Sequence, residues 1–308
     1  MMKRFFYFLL FPLCIALVAC SDSDDYNADT AKSPYKPLVE GVRKVAQVKT
    51  TNTVDGRDYS WVHNFEYDAQ GRIKEINSAI QHHYKSEEFG VERWYLCNIR
   101  SKANYYFKGN KLEVDYRVER EYPEYPDWNS VDSGSNYGTF NDDGVLEDFA
   151  SIDFVYSATS LQSAYLDGGV SYEFSRSRGN ITGFVKYFAP SDTVIKDRRG
   201  NYTYRATQNN TNFDFAAYFG YWEVEQNIYV NRSPYYAAYQ LGAFGMLGAI
   251  SPNLPDGQLK RDSKGELVLD EYGQTIKEYG EWKFDGSGYP LWFVDASGRK
   301  TEIKYVEQ

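Results

Sequence analysis

Three cysteines and three histidines are all the thiols and imidazoles in this chain of 308 residues, and their scarcity excludes much chemistry at once. Cys14 lies inside an apolar leader and Cys20 ends it, so Cys97 is the one thiol left in the body, and a single thiol forms no intramolecular disulfide. Within "RWYLCNIR", Cys97 reads as a small core residue. His63 stands alone, and the adjacent His82 and His83 should point to opposite faces of a strand. With no H-E-x-x-H and no paired C-x-x-C, no metal is expected, and no motif calls for a cofactor. "NDDG" and "DSKGE" lack the full ligand spacing of a calcium loop. No G-x-S-x-G is present, and Gly286-Ser287-Gly288 falls in a hairpin turn without the strand-to-helix context of a nucleophile elbow. Positive charge is also lacking. With 34 basic against 43 acidic residues, the net charge of −9 argues against nucleic acid and against docking on anionic lipid.

No long hydrophobic run is present either. The longest, Phe5 to Ala19, has 15 residues, short of the roughly 20 that span a bilayer as a helix. It follows Lys3 and Arg4 and stops at Leu17-Val18-Ala19-Cys20, directly before "SDSDD", which is the layout of a signal peptide. The tetrad resembles a bacterial lipobox, which implies that residues 1–19 are removed and Cys20 becomes the lipid-modified first residue. A diacylglyceryl group plus an N-acyl chain exceeds the two signals that stable anchoring needs. Asp22, Asp24 and Asp25 further resemble the surface-export signal of lipoproteins from Bacteroides-like bacteria, although an acidic run is also a plain solvated linker. Cleavage would leave 289 residues and move the net charge to −11, since Lys3 and Arg4 go and no acid does. Residues 20–37 are polar and read as a flexible tether, reaching on the order of 20–25 Å as a coil.

What the chain does have is aromatic residues and tight turns. "NFEYDAQGRIKEI" places Asp68 and Gly71 at the first and fourth positions of a turn, where Asp accepts backbone bonds and Gly takes the left-handed conformation. Before it, Trp61, His63, Phe65 and Tyr67 alternate with Ser60, Val62, Asn64 and Glu66, which is the period of a strand with one aromatic face. The pattern recurs loosely, with turns expected at Gly109-Asn110, Asp142 to Gly144, Gly179-Asn180, Asp262 to Gly265, Asp285 to Gly288 and Asp295 to Gly298. Glycines 71, 109, 144 and 179 fall 38, 35 and 35 residues apart, a period typical of repeat architectures. Leu112, Val114, Tyr116 and Val118 alternate with Glu113, Asp115, Arg117 and Glu119, as do Thr301, Ile303 and Tyr305 with their charged neighbours, giving sheets with one buried and one wet face.

The connections 77–92 and 119–137 look longer and polar, so short turns at one end and loops at the other predict an up-and-down meander. "SPYYAAYQLGAFGMLG" supplies the one good helix candidate, a short helix near 234–245 with Ser233 as N-cap, Pro234 in the first turn and glycines at its end. No boundary rich in Pro, Gly and Ser cuts the body. The expected fold is all-β, an antiparallel meander of repeated hairpins forming a barrel-like or strongly curved sheet, in one domain from 38 to 308.

The lipobox with its acidic run, the "YDxxGRI" turns, "GMLGAISPNLP" and "FDGSGYPLWF" together resemble a family of Bacteroidota lipoproteins of unknown function described as porin-like in fold. The turns are also similar to the YD repeats of larger surface proteins. The resemblance implies a barrel-like antiparallel sheet and no chemistry. A true outer-membrane barrel is not expected, because the closing Val306-Glu307-Gln308 lacks the terminal aromatic of such barrels and a lipid anchor would be redundant.

Carboxylate pairs such as Glu147-Asp148, Glu223 with Glu225, and Asp270-Glu271 are as well explained by solvated strand surfaces as by glycoside hydrolysis. Most aromatic residues belong to the core. Tyr122, Tyr125 and Trp128 in "EREYPEYPDWNS" stand apart, because a loop stiffened by proline can hold flat rings for stacking on sugars or on a partner, or simply cap the sheet. The sequence therefore predicts a non-enzymatic outer-membrane lipoprotein, exposed at the cell surface, that binds a glycan or an envelope protein. The alternatives are a lipid-like ligand between aromatic walls, a secreted glycan hydrolase, or a structural envelope component.

Overall fold

The structure, a computed structural model, describes Tyr35 and residues 42–88, 91–158, 160–166, 170–188, 195–199, 202–219, 241–262 and 266–307. The signal peptide, Cys20, Glu223, Glu225 and residues 234–240 of the expected helix lie outside the described residues.

Period-two alternation becomes strand nearly everywhere. The first six are β1 (Val45–Val54), β2 (Arg57–Tyr67), β3 (Ile73–Glu88), β4 (Val91–Lys108), β5 (Lys111–Glu121) and β6 (Ser130–Phe140). Then come β7 (Leu146–Phe149), β8 (Ile152–Ser157), β9 (Ser160–Leu166), β10 (Val170–Ser177), β11 (Asn180–Phe188) and β12 (Ile195–Arg199). The last are β13 (Tyr202–Gln208), β14 (Asn253–Leu259), β15 (Lys277–Tyr279), β16 (Glu281–Phe284), β17 (Pro290–Val294) and β18 (Lys300–Tyr305). One antiparallel sheet of 15 strands runs from β12 in reverse chain order to β1 and continues through β18 and β17 to β16. It is the expected meander, strongly curved and open, because β12 and β16 are its two ends. Strands β13, β14 and β15 form a second, small sheet.

The outer face of the large sheet is charged. Lys102 pairs with Glu75 at 2.8 Å, Arg117 with Glu119 at 2.8 Å, and the Ser135 hydroxyl donates to Asp115. A lipid-facing barrel wall would be apolar at these positions, so this face suits water. On the inner face Val48, Phe65, Ile76, Tyr105, Phe107, Leu112 and Val114 are buried. Their cover is the chain's own insertion, in which Phe213, Phe215, Leu241, Phe244 and Met246 are all core residues.

Asn212 helps fix that insertion: its amide oxygen accepts from the Val45 amide and its amide nitrogen donates to the Tyr67 hydroxyl. Asp214 caps a helix at 215–219, accepting from the Ala217 amide at 3.0 Å while its other oxygen accepts from the Ser251 amide at 2.7 Å. Burial raises its carboxyl above the usual range, and the two backbone bonds oppose that rise.

Five turns share one set of bonds. At Asp68, Asn141, Asp270, Asp285 and Asp295 the side-chain oxygen accepts amides two and four residues on, and the backbone oxygen accepts from the glycine three residues on. At Gly71 φ is +80°, so a Cβ there is strained. Two turns sit differently from expectation. Asn141, not Asp142, opens the third turn, because it is the residue whose amide oxygen reaches the following N–H groups. The turn near 179 centres on Arg178 and Gly179, both at positive φ, because Ser177 pairs with Asn180. Glycines 71 and 144 thus belong to one turn type and 109 and 179 to two-residue hairpins, so their near-even spacing reflects strand length and not one repeated unit.

Four further expectations are corrected. Residues 77–88 and 91–92 are strand, not loop: β3 and β4 pair out to Glu88 and Val91, since His82, Tyr84, Tyr95 and Cys97 continue the inward alternation. In 119–137 only 122–129 is loop, containing the 3-10 turn Pro126–Trp128. The expected helix is helical at 241–243 and turns from 244 onward, where Gly245 takes φ +75°, while the helix at 215–219 was not foreseen. Tyr35, inside the stretch read as tether, is buried between Phe107 and Phe140 at 5.5 Å from each, and its hydroxyl donates to the Phe244 carbonyl, so that stretch is not all tether.

Residues 260, 268 and 276 add one more unforeseen feature. Their amides and carbonyls bond in a closed ring, Lys260 to Ile276, Ile276 to Val268 and Val268 to Lys260.

Candidate aromatic binding site

The inner face of the sheet continues past the buried insertion into a second cluster of Tyr59, Trp61, Ile80, Cys97, Ile99 and Val118. Strand β2 last pairs with β3 at Ser60 and Gln81, and β4 last pairs with β5 at Asn98 and Glu121. Beyond those points β3 and β4 pair with each other, forming a two-stranded arm. On the inner side of the arm His82 stands opposite Cys97, and Tyr84 opposite Tyr95. Arg57 at the start of β2 lies over the Trp94 ring, 4.2 Å from its centroid, tying the arm back to the sheet.

Loop 122–129 folds against this arm. The Tyr125 amide donates to the Tyr122 carbonyl, Trp128 to Tyr125, and Asn129 to Pro126, while the Asn129 side chain accepts from the Tyr122 amide at 2.7 Å. With Pro123 and Pro126 fixing φ, the loop has little freedom to lose. Tyr125 and Trp128 stack at 4.5 Å with 15° between planes. Tyr122 meets Trp128 at 5.8 Å and 79°, and the buried Tyr95 sits edge-on to Tyr125 and Trp128 at 5.1 and 5.2 Å. Trp128 keeps 46% of its surface exposed.

The three rings singled out in the sequence are therefore brought together, in two different settings. Tyr122 extends the inner face of β5 and packs on the cluster that contains Cys97, and burial pushes its hydroxyl up to about 12. It is half-buried and packs on Tyr84 at 6.5 Å, so it is not a free loop ring. Tyr125 and Trp128 face outward from it. The Cys97 thiol is raised by burial, which keeps it protonated near neutral pH and agrees with a packed residue.

Sequence reasoning missed Tyr59, Tyr84, Tyr95 and His82 as members of this cluster. Their alternation was legible, but the charged Lys85, Glu87 and Glu88 between them suggested a loop. His82 and His83 leave the backbone in opposite directions yet both rings reach Tyr59, at 5.4 and 5.3 Å. Burial holds His82 down near 4, with His83 adding to the effect.

Other candidates are dispersed. Among the described residues no group of three His, Cys, Asp or Glu side chains is arranged to hold a metal. Asp148 faces Asp153 across an open strand pair, and Asp270 opens an exposed turn beside Glu271. A crevice lined by Tyr202, Phe219, Glu278, Phe293, Asp295 and Arg299 has room for little more than a water molecule. No helix among the described residues is long and apolar enough to cross a membrane.

No protein-family model and no curated protein matches the chain. Solved structures do resemble it. A porin-like protein from Bacteroides uniformis ATCC 8492 is 10% identical with a TM-score of 0.42, over 86% of this chain and 99% of that one. A porin-like protein from Bacteroides vulgatus ATCC 8482 is 12% identical with a TM-score of 0.37, over 86% and 100%. Likeness at this level carries no argument about function.

Proposed function

We propose that this protein is a lipid-anchored lipoprotein of the cell envelope, held at the outer membrane through Cys20 and exposed at the cell surface, where it binds a glycan or a protein ligand without catalysing a reaction. The anchor rests on Leu17-Val18-Ala19-Cys20 and the acidic run after it, the same residues that carry its resemblance to Bacteroidota lipoproteins. The binding role rests on one observation: Trp128 is held half-exposed on a stiff loop, backed by Tyr125 and the buried Tyr95. A ring ordered before contact loses little entropy when a ligand stacks on it. A lipid-like ligand inside the sheet is disfavoured, because Phe213, Phe244 and Met246 fill that space.

Two experiments test the two halves. Cys20→Ala should release the protein from membranes in fractionated cells, and a variant that still pellets after a high-salt wash removes the anchor. Native mass spectrometry of protein from its host envelope should show a bound glycan or protein that is lost in Trp128→Ala. A bound species that persists in that variant places binding elsewhere.

A further inference from the structure

Resting on the binding role of Trp128, we infer that the arm site takes a neutral polysaccharide and rejects acidic ones. Charge supplies the argument. Across residues 119–132, which carry the three rings, Glu119 is paired with Arg117, and Glu121, Glu124, Asp127 and Asp132 outnumber the one cation of the segment, Arg120. Glu124 and Asp127 are exposed on the same loop as Trp128, and Asp127 lies in the 3-10 turn that ends on it. Asp127 directly precedes Trp128 and Glu124 lies four residues before it, and charges this near in the chain are little screened, the Debye length being about 8 Å at physiological ionic strength. A uronic acid, sulfated sugar or phosphorylated glycan would bring its charge against these carboxylates and be repelled.

Neutral pyranoses fit the same chemistry. Their C–H faces stack on flat indole and phenol rings, while their hydroxyls donate to carboxylate oxygens, which accept only. An open, rigid ring stack on a projecting arm suits a chain lying across it better than a small molecule needing enclosure. Protein partners matched to this loop would have to be basic, and they form a separate outcome of the test.

The experiment is affinity electrophoresis of the full folded chain in gels containing hydroxyethyl cellulose, galactomannan, xyloglucan or glycogen, with polygalacturonate as the acidic probe. At least one neutral polymer should retard the protein, polygalacturonate should not, and Trp128→Ala should bind at least about tenfold more weakly, the loss of roughly 1.4 kcal/mol of stacking. Trp128→Phe should recover part of the retardation. Glu124→Lys with Asp127→Lys should admit polygalacturonate, a gain of binding that no folding defect at Trp128 could produce. Failure of every neutral polymer, or retardation by polygalacturonate as strong as by a neutral one, overturns the inference. If polygalacturonate or a protein partner is then held in a Trp128-dependent way, the binding role survives without it. If Trp128→Ala binds every ligand as wild type does, both fall together.

Discussion

The two ends of the concave face start from the same sequence device and finish differently. At one end the inward residues of β2 to β5, among them Phe65, Ile76, Phe107 and Val114, are sealed by the insertion bearing Phe213, Phe244 and Met246. At the other end Trp61, Cys97 and Ile99 continue the same alternation, and among the described residues Tyr84, Tyr116 and Tyr122 pack against them, with Trp128 of the loop 122–129 left half in solvent. Between them runs a polar layer: Thr50 bonds Thr301 at 3.0 Å, and His63 bonds Ser78 at 2.8 Å beneath the edge of Tyr218. The difference teaches that alternation sets which residues turn inward, while the layer packed on them decides how much aromatic surface is left to solvent.

The contrast breaks most directly at Phe213. This ring is fully buried and meets Phe65, Phe215, Tyr218 and Phe244 within 5.6 Å, so Phe213→Ala should cost about 3–5 kcal/mol in denaturant unfolding. A loss below about 1 kcal/mol would mean that the insertion is not the core.

Acid probes the layer between the two ends. Burial lowers His63 from 6.5 to about 4, so on acidification the unfolded chain takes up the proton first. Stability from this group is whole above pH 6.5 and is lost as pH falls toward 4, by roughly 3 kcal/mol. In His63→Gln the drop in stability between pH 6.5 and 4 should be smaller, as read by unfolding at each pH. An unchanged slope would remove His63 as its source.

Gly71→Val should destabilise by about 1–3 kcal/mol, since φ is +80° there, and by more than Ala69→Val in the same turn. Equal melting temperatures for the two variants would contradict the left-handed turn. The smallest effect is expected at Trp128, where alanine should cost no more than about 1.5 kcal/mol of stability. Tyr122→Ala should cost more, because Tyr122 packs into the second cluster. Thermal melts that reverse this order would exchange the roles of the two rings.

Sequence by itself determined the strands and most of the turns, because both are local. Leu112 to Val118 alternate whatever they face, and Asp68 finds its amides within four residues. It also marked Tyr122, Tyr125 and Trp128 as unusual, since prolines and aromatic rings in one loop can be read without a partner. Tertiary structure decided that β3 and β4 run on as an arm, that Tyr35 belongs to the core, and that the segment around Asp214 and Phe244 fills one end of the sheet. Those outcomes depend on contacts such as Tyr35 with Phe244, 209 residues apart, and Val45 with Asn212, 167 apart. No local pattern encodes such pairs, because their free energy comes from surfaces that meet only after the sheet has curved.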